Sequence, residues 1–149
     1  EAIRICCELG VRNLVPISCQ FSNSFELEIG SPRLEKILEN SLEQSNNLFK
    51  LEIKYNLKLA SINFNEYQYI FLFSNKISSN NIKPKLQIND KVLILIGPEG
   101  GFTDLEENYL LENWKNIITI NMNTPILRAT TAIGAALGHI HSFYKNNIE

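Results

Sequence analysis

The sequence predicts an α/β fold built on a mainly parallel sheet with helices on both faces. Apolar runs of strand length, at residues 69–73, 92–96 and 117–122, alternate with segments of helical periodicity. The run at 92–96 is apolar at every position, which is typical of a central parallel strand covered on both faces. A chain of 149 residues, 44% of them hydrophobic and 20% charged, is long enough for one such domain.

The first half of the chain predicts two helices and several weaker strands. Residues 2–9 carry apolar side chains near helical spacing, and Gly10 suits the end of that helix. Ser31 and Pro32 suit the start of a second helix, which should stop by Asn46. The weaker strand signals are, in chain order, residues 13–17, predicted to be buried, 25–29 and 51–59.

The second half predicts the core of the sheet and two more helices. The strands at 69–73 and 92–96 are separated by a polar stretch, 74–90, which indicates a long surface connection. A strand at 117–122 is followed by a final helix over 129–144.

A helix between the last two of these strands is predicted from its start signal. Thr103 and Glu106 have the spacing of a capping box, in which each side chain bonds the backbone N–H of the other residue. We expect Glu106 and Glu107 to face solvent. The residues predicted to point inward are Leu105, Tyr109 and Trp114.

Composition and charge exclude several classes of protein. No apolar run approaches the roughly 18 residues that a membrane-spanning helix needs, and the first ten residues lack the pattern of a secretory signal. These observations predict a cytoplasmic protein. The formal charge of −2 argues against a protein that binds nucleic acid by bulk charge alone.

The cysteines and histidines predict no metal site. Cys6, Cys7 and Cys19 form neither a C-x-x-C motif nor an even set for disulfides, so we interpret them as small buried residues in a reducing compartment. His139 and His141 are two residues apart on a helix, so their side chains face different directions.

The turn after the strand at 92–96 is a candidate ligand site. Its sequence is Gly97-Pro98-Glu99-Gly100-Gly101, and open α/β sheets bind ligands at such turns. Neither phosphate-binding glycine motif is present, and the carboxylate of Glu99 would repel a phosphate. A ligand with a positive or neutral contacting face fits better. The alternative is a tight strand-to-helix turn that binds no ligand.

Arg128 is a second candidate site residue, just before the final helix. A cation at a helix N-terminus is unfavourable by roughly 0.3–1 kcal/mol, so its position suggests an anionic ligand. An ion pair with a nearby surface acid is the alternative. The helix that follows is rich in small residues, which allow close packing against the sheet or against a second subunit.

The motifs in the last third resemble those of a known family. The segment Leu95-Ile96-Gly97-Pro98-Glu99-Gly100-Gly101-Phe102-Thr103, followed by Glu106, closely resembles the signature of RsmE-type methyltransferases. That family methylates N3 of a uridine in small-subunit (16S) ribosomal RNA and belongs to the SPOUT superfamily. Three shorter segments match in the same order: Glu8-Leu9-Gly10-Val11 with Pro16, Glu43-Gln44-Ser45, and Ile126-Leu127-Arg128 with Thr131-Ala132.

The resemblance implies a fold, a cofactor and partners. The C-terminal part of the sheet would be tied in a deep trefoil knot, one of the rare exceptions to unknotted topology. The chain, residues 1–149, would be a homodimeric catalytic domain acting on 16S ribosomal RNA or the small ribosomal subunit. It would lack the family's first strand and its N-terminal PUA-like RNA-binding domain.

The resemblance also implies roles for particular residues. Arg128 would stabilise the uridine anion or hold an RNA phosphate, and Glu99 would orient the cofactor, with a weaker case as the base. The cofactor would be S-adenosyl-L-methionine. Its expected contacts are Leu95, Ile96, Gly97, Pro98, Glu99, Gly100, Gly101, Met122, Asn123, Ile126, Leu127, Thr131 and Ala132.

Departures from the family pattern leave a second hypothesis open. Thr130 stands where the family has Glu, and Phe21, Asn47, Asn123 and Pro125 replace other family residues, mostly with loss of charge. The chain could therefore be a degenerate knotted domain that binds the cofactor or RNA without catalysis. A nucleotide-binding α/β enzyme is a third, weaker hypothesis, because the phosphate motifs are absent.

Overall fold

The computed structural model describes residues 1–22 and 28–144, which contain four α-helices and seven strands. The predicted extended segment at 25–29 lies mostly outside these residues. The elements are, in chain order, α1 (Ala2–Glu8), β1 (Asn13–Leu14), β2 (Ile17–Ser18), α2 (Pro32–Ser45), β3 (Glu52–Ile53), β4 (Leu57–Lys58), β5 (Tyr69–Phe73), β6 (Val92–Ile96), α3 (Asp104–Asn113), β7 (Ile117–Ile120) and α4 (Ala129–His141).

The strands of the described chain pair only in parallel, as the sequence predicts. The main sheet has the order β6-β5-β7, so Leu72 of β5 lies between Leu95 of β6 and Thr119 of β7. Two short pairs, β1 with β3 and β2 with β4, are also parallel.

Both faces of the main sheet are covered. Neighbouring residues of β5 pack against different layers, because the side chains of a strand alternate between its two faces. Leu72 of β5 packs on one side in a cluster with Leu110 of α3. Phe71 packs on the other side with Ile140 of α4. The predicted α/β arrangement, with helices on both faces, is therefore confirmed.

A third cluster joins the N-terminal helices to α4. Cys6 and Cys7 of α1 pack there with Leu38 of α2 and Leu137 of α4. These two cysteines are buried, as predicted, whereas Cys19, which was also predicted to be buried, is only partly so. Burial, with a smaller contribution from Cys7, raises the pKa of the Cys6 thiol to about 11, so this thiol stays protonated at neutral pH.

The prediction that residues 92–96 form a central strand is wrong. In the described residues β6 pairs with β5 alone, and β5 is the central strand. An uninterrupted apolar run indicates that both faces of a strand are covered, but it carries no information about whether both edges are paired.

Two predicted strands are shorter than expected. Pro16 divides the predicted strand at 13–17 into β1 and β2, because proline has no N–H to donate; its carbonyl still accepts from Leu57 N–H at 3.0 Å. The segment predicted as buried is also partly exposed, with Asn13 in solvent. Residues 51–59 likewise divide into β3 and β4.

Three side chains lie opposite to their predicted positions. Leu105 is 79% exposed, whereas Glu107 is 4% exposed, so the buried face of α3 starts at residue 107. Leu86, in the predicted surface connection, is fully buried and its N–H donates to Phe143 O. The rest of that connection is mostly exposed, as expected.

Candidate functional site

The glycine-rich turn after β6 requires two of its glycines for different reasons. Gly101 has φ +74°, a region that residues with a Cβ rarely adopt, and its N–H donates to Pro98 O at 2.7 Å. A Cβ on Gly97 would lie 3.0 Å from Phe102 N and 3.1 Å from Phe102 Cδ2. The turn is therefore tight in both backbone conformation and packing.

The predicted capping box starts α3 immediately after this turn. Thr103 Oγ1 accepts from Glu106 N–H at 3.1 Å, and Glu106 Oε2 accepts from Thr103 N–H at 2.8 Å. The other carboxylate oxygen, Glu106 Oε1, accepts from Gln20 N–H at 2.8 Å. One side chain thus fixes the start of α3 and also holds a segment that lies far away in the sequence.

A cavity of about 270 Å³ opens beside the turn, at the carboxyl ends of β5, β6 and β7. This edge is where parallel α/β sheets usually bind ligands, because the strands end there and the loops diverge. The turn and the segment that leads into α4 form two of its walls. Most of the predicted cofactor contacts line it: Ile96, Gly97, Pro98, Glu99, Gly100, Gly101, Met122, Ile126, Leu127 and Ala132.

Four predicted site residues do not line this cavity. Leu95 is 3% exposed and packs in the core on the α3 side. Asn123, at φ +53°, and Thr131 are exposed near the cavity. Arg128 is exposed between two lining residues, Leu127 and Ala129, and its side chain makes no capping hydrogen bond to α4.

The structure adds lining residues that were not predicted from the sequence. Four of the nine come from the end of β5, and the rule that ligands bind at the carboxyl ends of parallel strands could have identified those four. These additional residues are Phe73, Ser74, Asn75, Lys76, Phe102, Glu107, Ile120, Thr124 and Ala129.

A polar network, buried at Ser74 and Glu107 and exposed at Lys76 and Asp104, connects the end of β5 to α3 within this wall. Ser74 Oγ donates to Glu107 Oε1 at 2.7 Å, and Lys76 Nζ lies 3.8 Å from Glu107 Oε2. Lys76 Nζ also donates to Phe102 O at 2.6 Å and to Asp104 Oδ1 at 2.9 Å. The pKa of Lys76 lies above its ordinary value, chiefly because of the Asp104 hydrogen bond. These partners explain how Glu107 can be buried.

Thr124 Oγ1 is a buried hydroxyl oxygen in the cavity wall that has no hydrogen-bond partner within the described chain. A buried polar group without a partner costs about 1–3 kcal/mol, so native structures rarely keep one unless something pairs with it. The hydroxyl is therefore available to a ligand in the cavity.

Comparison with known proteins identifies the family. Residues 1–141 match the family model described as "RNA methyltransferase domain".

The chain belongs to the RNA methyltransferase domain family.

Two curated relatives of this RNA methyltransferase domain agree with the resemblance seen in the sequence. The chain is 29% identical over 147 residues to the ribosomal RNA small subunit methyltransferase E of Rickettsia conorii, an alignment that covers 93% of this chain and 57% of the relative. It is 32% identical over 117 residues to ribosomal RNA small subunit methyltransferase E 2 of Borreliella burgdorferi, covering 76% of this chain and 46% of the relative. The chain thus spans about half the length of these relatives.

Solved structures show the same fold for this domain. A probable rRNA-methyltransferase from Porphyromonas gingivalis matches with a TM-score of 0.77 at 22% identity, over 95% of this chain and 60% of that one. The ribosomal RNA small subunit methyltransferase E of Neisseria gonorrhoeae, solved bound to S-adenosyl methionine, matches with a TM-score of 0.71 at 20% identity, over 96% of this chain and 60% of that one.

Residues 1–22 and 28–144 contain no cluster of three His, Cys, Asp or Glu side chains able to hold a metal ion. No described helix is both long enough and apolar enough to cross a membrane.

Proposed function

We propose that this domain uses S-adenosyl-L-methionine to methylate N3 of a uridine in 16S ribosomal RNA. The observation that carries the proposal is the cavity beside the glycine-rich turn, whose sequence carries the RsmE-type signature. The two curated relatives, both named as small-subunit ribosomal RNA methyltransferases, support it. So does the Neisseria gonorrhoeae structure, which was solved bound to S-adenosyl methionine.

The cavity residues fit this cofactor in charge and in hydrogen bonding. S-adenosylmethionine carries positive charge at its sulfonium and ammonium groups, and the cavity is lined by the carboxylates of Glu99 and Glu107 against the single ammonium of Lys76. Lys76 is engaged with Phe102 O and Asp104. The unpaired hydroxyl of Thr124 supplies a hydrogen bond to the polar part of the ligand.

Methyl transfer to N3 requires loss of the N3 proton, which passes to the Glu99 carboxylate or to solvent and leaves negative charge on the uracil ring. When bound, the cofactor supplies an electrophilic methyl group, and its sulfonium becomes a neutral thioether. Arg128 is exposed at the cavity rim, where its guanidinium stabilises the uracil anion electrostatically. The carboxylate of Glu99, on the turn itself, orients the cofactor by attracting the positive charge of the cofactor.

The substitution Arg128→Ala tests this assignment. We expect methylation of small ribosomal subunits to fall by roughly 10²-fold, as for loss of other groups that stabilise a developing anion. The affinity for S-adenosylhomocysteine, measured by calorimetry, should be unchanged because Arg128 does not line the cavity. The matched control is Arg33→Ala, which removes an exposed arginine on α2. Methylation by Arg128→Ala at the native rate would show that the assigned role is wrong.

We also propose a homodimer and a knotted C-terminus, both of which the family resemblance implies. The small residues Thr131, Ala135 and Gly138 are exposed along α4, so a second α4 could approach closely there. Sedimentation should give twice the monomer mass, and Ala135→Glu should shift the protein to monomer because it places a charge in that contact. A monomeric wild type would contradict the dimer.

The non-catalytic hypothesis remains the second candidate, favoured by one observation. Asn47, at a position where the resemblance implies a charged residue, turns inward and donates to Cys7 O and Ser45 Oγ. Calorimetry with S-adenosylhomocysteine and mass spectrometry of treated small subunits separate the two candidates. Cofactor binding without any methylated uridine would favour the non-catalytic domain.

A further inference from the structure

An exposed aromatic side chain lies against the glycine-rich turn, although it belongs neither to the hydrophobic core nor to the lining of the cavity. Phe21 is 52% exposed. Its Cβ, Cγ and Cδ2 atoms approach Gly100 so closely that a Cβ on Gly100 would lie 3.0 to 3.5 Å from them. Because Gly100 also lines the cavity, Phe21 stands at the rim of the candidate cofactor site.

The backbone on both sides of Phe21 is held in place. Gln20 N–H donates to Glu106 Oε1 at 2.8 Å. Ser22 N–H donates to Cys19 O at 3.1 Å, and Cys19 N–H donates to Ser22 Oγ at 2.9 Å. Because this backbone is already ordered, binding a ligand at Phe21 costs little backbone conformational entropy.

The other aromatic side chains in the described residues do not offer the same surface. Phe73 and Phe102 line the cavity but are only 7% and 2% exposed, so an incoming base has no access to their faces. Phe49 and Tyr55 are exposed, but neither lines the cavity. Phe21 therefore combines an exposed ring with contact to a cavity wall.

The charge around the turn disfavours a grip on RNA phosphates. Glu99 and Asp104 are exposed there, and Glu106 is half-buried beside the Phe21 segment. Lys76, the nearby cation, is engaged with Asp104. Next to these carboxylates a neutral aromatic ring can hold a nucleotide through its base, whereas Arg128 lies on the other segment, just before α4.

Resting on the proposed uridine methylation, we propose that Phe21 is the stacking platform for the uracil that receives the methyl group. N3 lies on the base-pairing edge of uracil, so the base must leave its pair and its stack before it can react. Stacking on Phe21 replaces the interactions lost in the RNA and leaves that edge free.

The test compares Phe21→Ala, Phe21→Trp and the matched control Phe49→Ala, which removes an aromatic ring of similar exposure (52% against 55%) away from the cavity. The measurements are the Kd for a fluorescein-labelled, single-stranded, uridine-rich RNA with S-adenosylhomocysteine present, and kcat/KM on small ribosomal subunits. We expect Phe21→Ala to raise the Kd and to lower kcat/KM by about 5- to 150-fold each, the range for loss of one base–aromatic stack. Phe21→Trp should keep wild-type values, and all variants should bind S-adenosylhomocysteine equally.

Each other outcome refutes a defined part of the proposal. If the wild type is active and Phe21→Ala matches Phe49→Ala, the stacking role is wrong while the proposed function stands. If Phe21→Ala also loses S-adenosylhomocysteine affinity, Phe21 supports the turn rather than the substrate. A wild type that methylates no uridine overturns the proposed function, and the inference with it.

Discussion

The substitution Gly97→Ala should damage both the stability of the domain and its cofactor site. A Cβ at residue 97 would lie 3.0 Å from Phe102 N, 3.1 Å from Phe102 Cδ2 and 3.2 Å from Gly101 C. Two of these atoms belong to the backbone and the third to a ring that is 2% exposed, so none can move easily. The turn must therefore open by a few tenths of an ångström.

The expected size of the effect follows from this crowding. Overpacking of a well-packed site typically costs about 1–3 kcal/mol, and for a domain of this size each kcal/mol lowers Tm by roughly 2–4 °C. We expect Tm from circular dichroism to fall by about 2–12 °C. Calorimetry should show at least tenfold weaker binding of S-adenosylhomocysteine, because Gly97 lines the cavity.

Gly134→Ala is the matched control, with the opposite expected sign. Gly134 lies inside α4, and a Cβ there would meet only Ile5 Cγ2 at an ordinary 3.8 Å. Alanine is favoured over glycine in a helix by up to about 1 kcal/mol, so Tm should rise. If Gly97→Ala leaves Tm unchanged or raises it as Gly134→Ala does, the packing argument for the turn is refuted.

Three further predictions concern other parts of the domain. Thr124→Val removes the unpaired hydroxyl, so it should raise the Tm of the ligand-free protein and raise the Kd for S-adenosylhomocysteine by about 2- to 10-fold. A Tm and a Kd that both lie below the wild-type values would contradict the ligand role. Leu86→Ala should reduce the free energy of unfolding in urea by about 2–5 kcal/mol, against less than about 0.5 kcal/mol for Ile88→Ala, which is 86% exposed. Equal losses would mean that burial of Leu86 does not hold the connection between β5 and β6 in place. Burial raises the pKa values of Cys6 and Cys19 from 9.0 to about 11. The buried, neutral thiols contribute stability that is complete below pH 9 and is lost as pH rises towards 11. The free energy of unfolding in urea should therefore fall across that window, and it should fall less steeply for a Cys6→Ala variant.

The parts of the site that are encoded by short stretches of sequence could be predicted from it. An apolar strand followed by glycines predicts the glycine-rich turn, and the capping-box spacing of Thr103 and Glu106 predicts the start of α3. Both depend on backbone hydrogen bonds and conformations within a few residues. The structure places both as expected.

The parts that depend on distant residues could not be predicted in the same way. Glu107 is buried because Ser74, 33 residues away, donates to it and Lys76 lies nearby. On periodicity alone an apolar Leu105 is a better candidate for the inside of α3, yet it lies in solvent. The edge position of β6 cannot be predicted from its own residues for a similar reason, since strand order depends on partners elsewhere in the chain.

The central position of β5 has a consequence for synthesis of the protein. Both partners of β5 follow it in the sequence, and Phe73 pairs with Ile120, which is translated 47 residues later. At about 5–20 residues per second, the strand waits roughly 2–10 s for that partner. For the whole of this interval the edge of Tyr69–Phe73 that pairs with β7 has no partner, and an apolar segment with an unpaired edge is a template for aggregation. The yield of folded protein should therefore depend on how well the nascent chain is protected on the ribosome until β7 has emerged.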